Sequence, residues 1–471
     1  MIRRLRVGST RAMCGNLFAA VLALGLGLAS VTLGPSQTLQ TLVTNGPSSN
    51  QINLVVLAEG YTAAQASQFL ADAGQMVGDL LGAEPFASYR GAFNAFAIMV
   101  ASTESGSDHP SQGVFKSTYF NSTFDSYGIS EYLTIPPNDR DPDPSHGQDK
   151  VQALLQQLAP QADMAILLVN DLLYGGAGGD LLICSRNAFA PEMILHEAGH
   201  TLAGLGDEYE TPLPGFPDVE EPNTTRETNR ASLKWKTWIA PDTPIPTPAD
   251  GQYAGAVGLF EGAHYHATGW YRPKLDCRMR TLIRPFCEVC QEALVLSFYR
   301  RIRLIQAASP TSTNLLSFLP ESLAFNVRLP VPPSGIPTCR WLLDDQMVAG
   351  ASATNFTIFT GSLSAGLHRV RVEVRDATSL VRNDPSGRLA QQREWTLDIR
   401  PVQLRLGTTR SATNLLITVT GYAPQGIVLE SSTNLTQWIP GATNTLTDGP
   451  RVFTNSFQHS AGRYYYRART R

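Results

Sequence analysis

The segment His196-Glu197-Ala198-Gly199-His200 reads H-E-x-x-H and constrains this chain more than any other stretch. Its flanks predict a helix, because Pro191 suits the first helical position and residues 193–195 are apolar. Residues four apart share a helix face, so both imidazoles can reach one metal ion. Glu197 then lies where it can act as general base for an attacking water. The pattern predicts a catalytic zinc site, and the alternative is a surface helix that happens to carry two histidines.

The residues after the motif favour a third ligand. Gly204 predicts a turn that ends the helix. Catalytic zinc usually takes three protein ligands and leaves one position open. Asp207 follows Gly204 by three residues, as in the metzincin pattern, and is the favoured third ligand. The glycine itself comes one residue later than in that pattern, where this chain has Ala203. Glu208, or a residue farther along such as His264 or His266, is the alternative; in either case Asp207 or Glu208 could instead orient a ligand histidine.

Two downstream residues are assigned to the same site. Met279, in Cys277-Arg278-Met279-Arg280, is predicted to form an apolar floor below the histidines, like a Met-turn. Tyr265 is the first candidate and His266 the second for stabilising the oxyanion that forms on a peptide carbonyl. Aromatic packing is the alternative for both of these residues.

Two further segments could shape a cleft beside this helix. The glycine-rich stretch 174–179 precedes a short apolar strand and could bind a peptide by strand addition, or be an ordinary flexible loop. Residues 212–248 carry many prolines with little periodicity, which predicts a long irregular excursion that rims the cleft.

Taken together, these stretches resemble the bacterial IgA-peptidase-type family of zinc metallopeptidases. The similar stretches occur in the family's order over residues 50–305, about half of the chain. They are Val55–Thr62, Phe93–Phe96 with Ser102–Gly106, His196–Tyr209, and Cys277–Arg280 with Pro285–Cys290.

The resemblance implies a metzincin-like zinc endopeptidase fold. It makes His196 and His200 metal ligands and Glu197 the catalytic residue. It does not imply cleavage of immunoglobulin, because the family is named after one specialised activity. Leu57-Ala58-Glu59-Gly60-Tyr61 departs from the family's Gly-Asp-Gly-Tyr form, which bears on local metal or structural contacts.

Composition limits the remaining function classes. The chain has 471 residues, enough for two or three domains with real cores, and a net charge of -3. That charge gives no basic footprint for nucleic acid. Residues 1–30 are predicted to be a signal peptide, because four arginines precede an apolar run from Leu17 to Leu28. This predicts secretion, or a periplasmic or cell-surface location in a bacterium; an uncleaved anchor is the alternative.

Removal of that segment leaves five cysteines. In an oxidising compartment, the compact group of Cys277, Cys287 and Cys290 is predicted to contain one disulfide. A structural metal site built from the three cysteines and a histidine is the alternative. An odd cysteine is left in either case, and the pairing cannot be assigned from spacing.

The catalytic domain is predicted to be α/β (α+β) and to span residues 31–306. A capping box at Thr62–Gln65 should open a helix that runs toward Leu81. A second helix, Glu288 to Gln306, should close the domain. Buried strands are predicted at residues 53–58, 95–101 and 164–170.

Two all-β sandwich modules are predicted to follow. Residues 310–400 show period-two strands separated by Pro, Gly and Ser, which is typical of an immunoglobulin-like sandwich. Residues 402–471 repeat the style as a smaller C-terminal β-sandwich. Neither carries an obvious catalytic set, so each could bind a glycan, a protein or a cell surface, or only space and stabilise the enzyme.

The sequence as a whole predicts a secreted, monomeric zinc endopeptidase that hydrolyses peptide bonds in protein or peptide substrates. The alternative is a non-catalytic surface adhesion or glycan-binding protein with an inactive zinc domain. Retention of Glu197 between the histidines argues against it, because an inactive site has no use for that carboxylate. Hydrolysis of a non-peptide amide also stays open, because the motif selects metal and water rather than substrate.

Overall fold

The computed structural model describes residues 37–318, 321–330, 337–400, 404–410, 414–421, 425–446, 451–456 and 463–471. The predicted signal peptide, residues 1–30, lies outside these ranges. Within them, no helix combines the length and apolar character needed to cross a membrane. The described chain forms two compact units. The first contains the residues up to Leu304 together with Asp376–Leu389, and the second contains those of Ile305–Leu329, Pro337–Arg375 and Ala390–Arg471.

A mixed sheet between Thr38 and Ser185 forms the centre of the first unit. Its six strands are β1 (Thr38–Val43), β2 (Ile52–Glu59), β3 (Phe93–Met99), β4 (Met164–Val169), β5 (Gly176–Ala177) and β6 (Leu182–Ser185). They lie in the order β1-β3-β2-β4-β6-β5. The inner four strands are parallel, and β1 and β5 pair antiparallel at the two edges. The predicted buried strands are confirmed, because continuous apolar runs suit parallel strands that are covered on both faces.

Four α-helices accompany this sheet within residues 37–318. They are α1 (Ala66–Leu80), α2 (Gln148–Leu158), α3 (Ala190–Ala198) and α4 (Glu288–Phe298). The predicted capping box is confirmed: Thr62 N–H donates to Gln65 Oε1 at 3.0 Å, and a short 3₁₀ turn leads into α1. A hairpin of β7 (Phe260–Ala263) and β8 (His266–Arg272) completes the unit's regular structure.

The predicted end of α4 at Gln306 is wrong, because the helix ends at Phe298. The arginines expected in its last turn have another use. Arg300 Nη2 and Arg301 Nη1 donate to the carbonyl of Leu202 at 3.1 and 3.2 Å. The segment after Phe298 therefore leaves the helix, and its arginines bind the turn that follows α3.

The second unit is all-β in the residues that the structure describes. A five-stranded sheet has the order β10-β16-β15-β12-β13, and a three-stranded sheet has the order β14-β11-β9. Both sheets contribute to a buried core that includes Phe325, Trp341 and Trp395. The strands are β9 (Ala307–Ser309), β10 (Asn314–Phe318), β11 (Ser322–Arg328), β12 (Thr338–Leu343), β13 (Gln346–Met347), β14 (Asn355–Phe359), β15 (Gly366–Arg375) and β16 (Ala390–Arg400).

Two smaller sheets follow toward the C-terminus. Their orders are β17-β18-β21 and β20-β19-β22. Ile417, Val419, Ile427, Leu429 and Leu446 form a core between them. The strands are β17 (Arg405–Arg410), β18 (Asn414–Thr420), β19 (Gln425–Ser432), β20 (Ile439–Leu446), β21 (Arg451–Ser456) and β22 (Tyr465–Thr470).

The structure departs from the predicted module 310–400 at two places. Strand β9 pairs with β11 and so begins this unit before residue 310. The connection Asp376–Leu389 between β15 and β16 belongs to the first unit. Its anchor is Asp376 Oδ2, which accepts hydrogen bonds from the hydroxyls of Tyr89 at 2.7 Å and Tyr299 at 2.6 Å.

Glu59 ends β2 with a carboxylate that is entirely buried. One oxygen accepts from Thr118 Oγ1 at 2.6 Å and from Ser122 N–H at 2.9 Å, and the other accepts from Phe120 N–H at 2.9 Å. Burial raises the pKa of Glu59, and these donors oppose the rise. Glu59 stands where the Gly-Asp-Gly-Tyr form has aspartate. Its longer carboxylate makes structural contacts that bind residues 118–122 to the sheet.

Replacement of Glu59 by glutamine should destabilise the first unit. The amide NH₂ would face one of the three donors, and a buried donor without an acceptor costs about 1–3 kcal/mol. Chemical denaturation of Glu59→Gln should therefore show a free energy of unfolding that is lower by about that amount. Glu84→Gln, a change of the same type at an exposed side chain, is the control; equal stability of the two variants would contradict the assigned contact.

Candidate active site

The H-E-x-x-H segment spans two kinds of helix. Pro191 lies in the first turn of α3, as predicted, and His196 lies in its last turn. At Gly199–Ala203 the backbone widens into a single π-helical turn that carries His200. Turns of this kind are frequent at functional sites. Gly204 then adopts a left-handed conformation with φ of 66°, which only a residue without Cβ adopts readily, and the chain leaves the helix where the sequence predicts.

Three predicted ligand atoms converge beside this turn. His196 Nε2 lies 3.1 Å from His200 Nε2 and 3.1 Å from Asp207 Oδ1. His200 Nε2 lies 3.4 Å from the same carboxylate oxygen. Zinc–nitrogen bonds of about 2.0–2.1 Å at tetrahedral angles give ligand separations of about 3.3 Å. The three atoms therefore have the spacing that one zinc ion requires.

Backbone carbonyls fix the tautomers of the two imidazoles. His196 Nδ1 lies 2.9 Å from the carbonyl of Arg278, and His200 Nδ1 lies 2.6 Å from the carbonyl of Leu205. A carbonyl only accepts, so each Nδ1 carries a proton, and each ring in its neutral form turns an unprotonated Nε2 toward the other. Two lone pairs this close need a cation or a proton between them. A hydrogen bond from Nδ1 to a carbonyl is the usual support of a histidine that binds metal through Nε2.

The electrostatics of the cluster agree with that requirement. Burial lowers the pKa of His200, but Asp207 outweighs burial and brings it to about 9. Burial raises the pKa of Asp207, but the two imidazoles outweigh burial and hold it well below its usual value. The three side chains thus favour a bound positive charge, and their chemistry fits a zinc ion.

The other residues considered as third ligand lie elsewhere. His264 is fully buried, with Nδ1 3.0 Å from Glu221 Oε2 and Nε2 2.8 Å from the carbonyl of Pro217. His266 Nδ1 lies 2.6 Å from the carbonyl of His264. Glu208 is completely buried but points away from the histidine pair, into a group of cysteines. Asp207 alone among these residues joins the two histidines.

Tyr265 lies at the tip of the β7–β8 hairpin. It and His264 both have positive φ, as the central residues of a type I′ turn do, although neither is glycine. The hairpin tip is held by His264 N–H and Tyr265 N–H, which donate to the carbonyls of Asp207 and Tyr209. The Tyr265 hydroxyl donates to Asp207 Oδ2. In this structure the Tyr265 hydroxyl therefore directs its hydrogen bond to Asp207, the candidate third ligand.

Tyr209 is a site residue that sequence reasoning missed. Its ring is stacked beside His196, with centroids 6.1 Å apart. Burial, then Asp207 and then Glu197, raises the pKa of Tyr209 to about 12. Its hydroxyl has no hydrogen-bond partner among the described residues. Its position directly after Asp207-Glu208 is the sequence signal that indicates it.

Glu197 lies against the glycine-rich loop. A Cβ built on Gly178 would overlap the Glu197 carboxylate, so only glycine leaves that carboxylate its position. The loop continues β5, whose outer edge at Gly176 already pairs with Glu131 and Leu133. Strand addition by a peptide is therefore not available at Gly176 itself, and the loop's observed role is to pack against Glu197.

Met279 lies under the π-helical turn, where the sequence analysis placed it. It is fully buried, and a Cβ on Gly199 would come within 2.9 Å of its sulfur. Its carbonyl accepts from Glu208 N–H at 2.9 Å. The residue before it, Arg278, supplies the carbonyl that orients His196 and also pairs through Nη1 with Glu192 Oε2 at 2.5 Å. The 277–280 segment therefore contacts the π-helical turn and orients His196.

The predicted disulfide is wrong: all five cysteines among the described residues are free thiols. Cys277 Sγ and Cys287 Sγ lie 3.7 and 3.5 Å from Cys290 Sγ, whereas a disulfide requires about 2.05 Å. The fourth member of this group is Glu208, not the histidine considered as an alternative. Sequence spacing could not show this, because Glu208 lies far from the cysteines along the chain.

The irregular excursion after residue 212 also contributes to the site. Asn223 Oδ1 accepts from Gly206 N–H at 2.7 Å, and Asn223 Nδ2 donates to the Gly206 carbonyl at 2.9 Å. Asn223 thereby fixes the backbone of Gly206, directly before Asp207. The sequence alone does not predict this contact.

Comparisons with solved structures give only distant likenesses. Latent PorU from Porphyromonas gingivalis is 10% identical, with a TM-score of 0.14, over 35% of this chain and 18% of that one. The fibronectin(III)-like modules of CbhA from Clostridium thermocellum are 10% identical, with a TM-score of 0.17, over 34% and 90%. β-Glucuronidase 3 from Bacteroides uniformis is 10% identical, with a TM-score of 0.15, over 69% and 46%. The chain spans less than two thirds of PorU and of the glucuronidase, and at these scores the likenesses carry no conclusion about function.

No curated protein matches the chain. The family comparison is informative, because the model of IgA peptidase M64 matches residues 40–253 and 249–298. The match covers more than half of the chain and contains the H-E-x-x-H helix, Asp207 and the 277–290 segment. The chain therefore belongs to the IgA peptidase M64 family.

Proposed function

We propose that this member of the peptidase family is a zinc-dependent endopeptidase. The observation that carries the proposal is the convergence of His196 Nε2, His200 Nε2 and Asp207 Oδ1 while both Nδ1 atoms are bound to carbonyls. Nitrogen and carboxylate donors of this number suit zinc, with one position left open. All three ligands come from one chain, so the site needs no second copy.

Zinc at this site would polarise the scissile carbonyl and lower the pKa of water. The other chemistry belongs to the chain. Glu197, one residue from His196 and held beside the Gly178 loop, is proposed to accept a proton from the attacking water and to pass it to the leaving amine. Its carboxylate makes no hydrogen bond to a described residue, so it is free to take up that proton.

The two tyrosines beside Asp207 are proposed to have different roles. Tyr265 is a positioning residue, because its hydroxyl is donated to Asp207 Oδ2 and fixes the orientation of that carboxylate. Tyr209 is the proposed oxyanion donor, because its hydroxyl is unpaired among the described residues and its ring lies beside His196. The raised pKa of Tyr209 keeps that hydroxyl protonated at neutral pH.

The wider setting of the enzyme is also part of the proposal. The arginine-led apolar segment within residues 1–30 supports export. The β-sheets of the second unit carry none of the proposed catalytic residues, and we assign them to glycan, protein or cell-surface binding. A binding protein with an inactive zinc domain is not favoured, because His196 Nε2, His200 Nε2 and Asp207 Oδ1 converge and the next residue after His196 is a glutamate.

Glu197→Gln should separate metal binding from catalysis. The amide keeps the size of the side chain but cannot accept the proton, so kcat on a cleaved peptide should fall about 100- to 10,000-fold or more. Bound zinc, measured by plasma mass spectrometry, should stay at the wild-type level. Glu84→Gln is the matched control, and a wild-type rate in Glu197→Gln would refute the assigned base.

Asp207→Ala should remove one equivalent of zinc per chain, because only two ligands would be left at the catalytic site. His266→Ala, in which a more exposed histidine of the neighbouring hairpin is truncated, should keep all of its zinc. The measurement is metal content after dialysis against a weak chelator. Full metal content in Asp207→Ala would show that another residue is the third ligand.

Tyr209→Phe and Tyr265→Phe should differ in what they lose. Removal of an oxyanion donor lowers kcat about 100- to 1,000-fold without weakening zinc binding, which is expected for Tyr209→Phe. Loss of a group that orients a ligand weakens metal affinity about 10- to 100-fold, which is expected for Tyr265→Phe. Competition with a chelator measures the affinities, and the opposite assignment of the two losses would reverse the proposed roles.

A further inference from the structure

A second group of potential ligands lies behind the catalytic one. Glu208 comes from the loop after the π-helical turn, and Cys277 comes from the segment that contains Met279. Cys287 caps the N-terminus of α4, and Cys290 lies in its first turn. Each of the four residues is at most 5% exposed. Three separate segments of the chain therefore place one carboxylate and three thiols together in the interior.

The spacing of these side chains fits a tetrahedral zinc ion. Cys290 Sγ lies 3.7 Å from Cys277 Sγ and 3.5 Å from Cys287 Sγ. Glu208 Oε1 lies 3.9 Å from the sulfurs of Cys277 and Cys290. Zinc–sulfur bonds of about 2.3 Å at tetrahedral angles place neighbouring sulfurs about 3.8 Å apart. The sulfurs are thus too far apart for a disulfide and near the distance that a shared zinc ion sets.

The Glu208 carboxylate gives a second, independent observation that favours a bound cation. Its Oε1 accepts from Asn223 Nδ2 at 2.9 Å, whereas its Oε2 is buried and has no hydrogen-bond partner. No lysine or arginine of the described residues forms an ion pair with it. A buried polar atom without a partner is costly, and a buried carboxylate is normally paired or bound to a metal. A cation bound by Oε1 and the three sulfurs would neutralise the carboxylate to which the unpartnered Oε2 belongs.

We propose that Glu208, Cys277, Cys287 and Cys290 form a closed structural zinc site, separate from the catalytic one. Four protein ligands fill the tetrahedron and leave no position for water, which is the mark of a structural rather than a catalytic site. Three thiolates select zinc over magnesium or calcium, which prefer oxygen ligands. The inference does not depend on the proposed peptidase mechanism.

This site would position the catalytic residues. Glu208 follows Asp207 directly and is bound through its N–H to the carbonyl of Met279. Cys277 precedes Arg278, whose carbonyl orients His196. The structural ion therefore joins the segment that carries the third catalytic ligand to the segment that orients the first.

The test is metal stoichiometry of the full chain. We expect two zinc equivalents in the wild type, one in His200→Ala, one in Cys287→Ser, and none when both changes are combined. Cys339→Ser, a change of the same type in the second unit, should keep both equivalents. Non-reducing mass spectrometry after denaturation and alkylation should show every cysteine of the mature chain as a free thiol.

A cobalt-exchanged sample gives a readout that does not depend on activity. Cobalt bound to thiolates has an intense near-ultraviolet charge-transfer band, which histidine and carboxylate ligands do not produce. His200→Ala, with its cysteines intact, should keep this band, so the proposal stays testable even if Cys287→Ser does not fold. A single zinc in the wild type that His200→Ala removes, absence of the cobalt band, or a mass lower by two hydrogens from a disulfide within the group would each overturn the proposal.

Discussion

The hydrogen bonds from His196 Nδ1 and His200 Nδ1 to backbone carbonyls are the interactions on which the rest of the site depends. Both acceptors lie on irregular backbone outside the helix, at Arg278 and Leu205. In the neutral form of each ring the carbonyl holds the proton on Nδ1, so that both Nε2 atoms and Asp207 Oδ1 can bind one cation. The widened turn at Gly199–Ala203, the left-handed Gly204 and the 277–280 segment all serve to bring those carbonyls to the rings.

The same backbone also connects the two ligand groups. Asp207 and Glu208 are neighbours, yet their side chains lie in opposite groups: Asp207 joins two histidines and Glu208 joins three cysteines. A single peptide bond therefore joins the two groups of potential ligands. Two adjacent carboxylates thus belong to different groups of side chains.

Much of the local structure could be predicted from sequence, because it depends on local chemistry. The buried strands β2 and β4, the Thr62 capping box and the turn at Gly204 all follow from apolar runs and side-chain capping. The third ligand could be ranked but not fixed, since its choice depends on where the chain returns after Gly204. The Cys–Glu208 group and the Asn223 contact join residues far apart in sequence, so no periodicity reports them. The predicted end of α4 was wrong for the same reason. The arginines after Phe298 donate to the carbonyl of Leu202, which is distant along the chain.

The contact between Gly178 and Glu197 separates two properties that usually change together. Most residues beside a catalytic group also support the fold, so their replacement alters rate and stability at once. At Gly178 the first atom that a larger residue would displace is the flexible end of the Glu197 side chain. The three atoms nearest to such a Cβ all belong to the Glu197 side chain, so a larger residue at position 178 would displace the proposed base before it met any backbone.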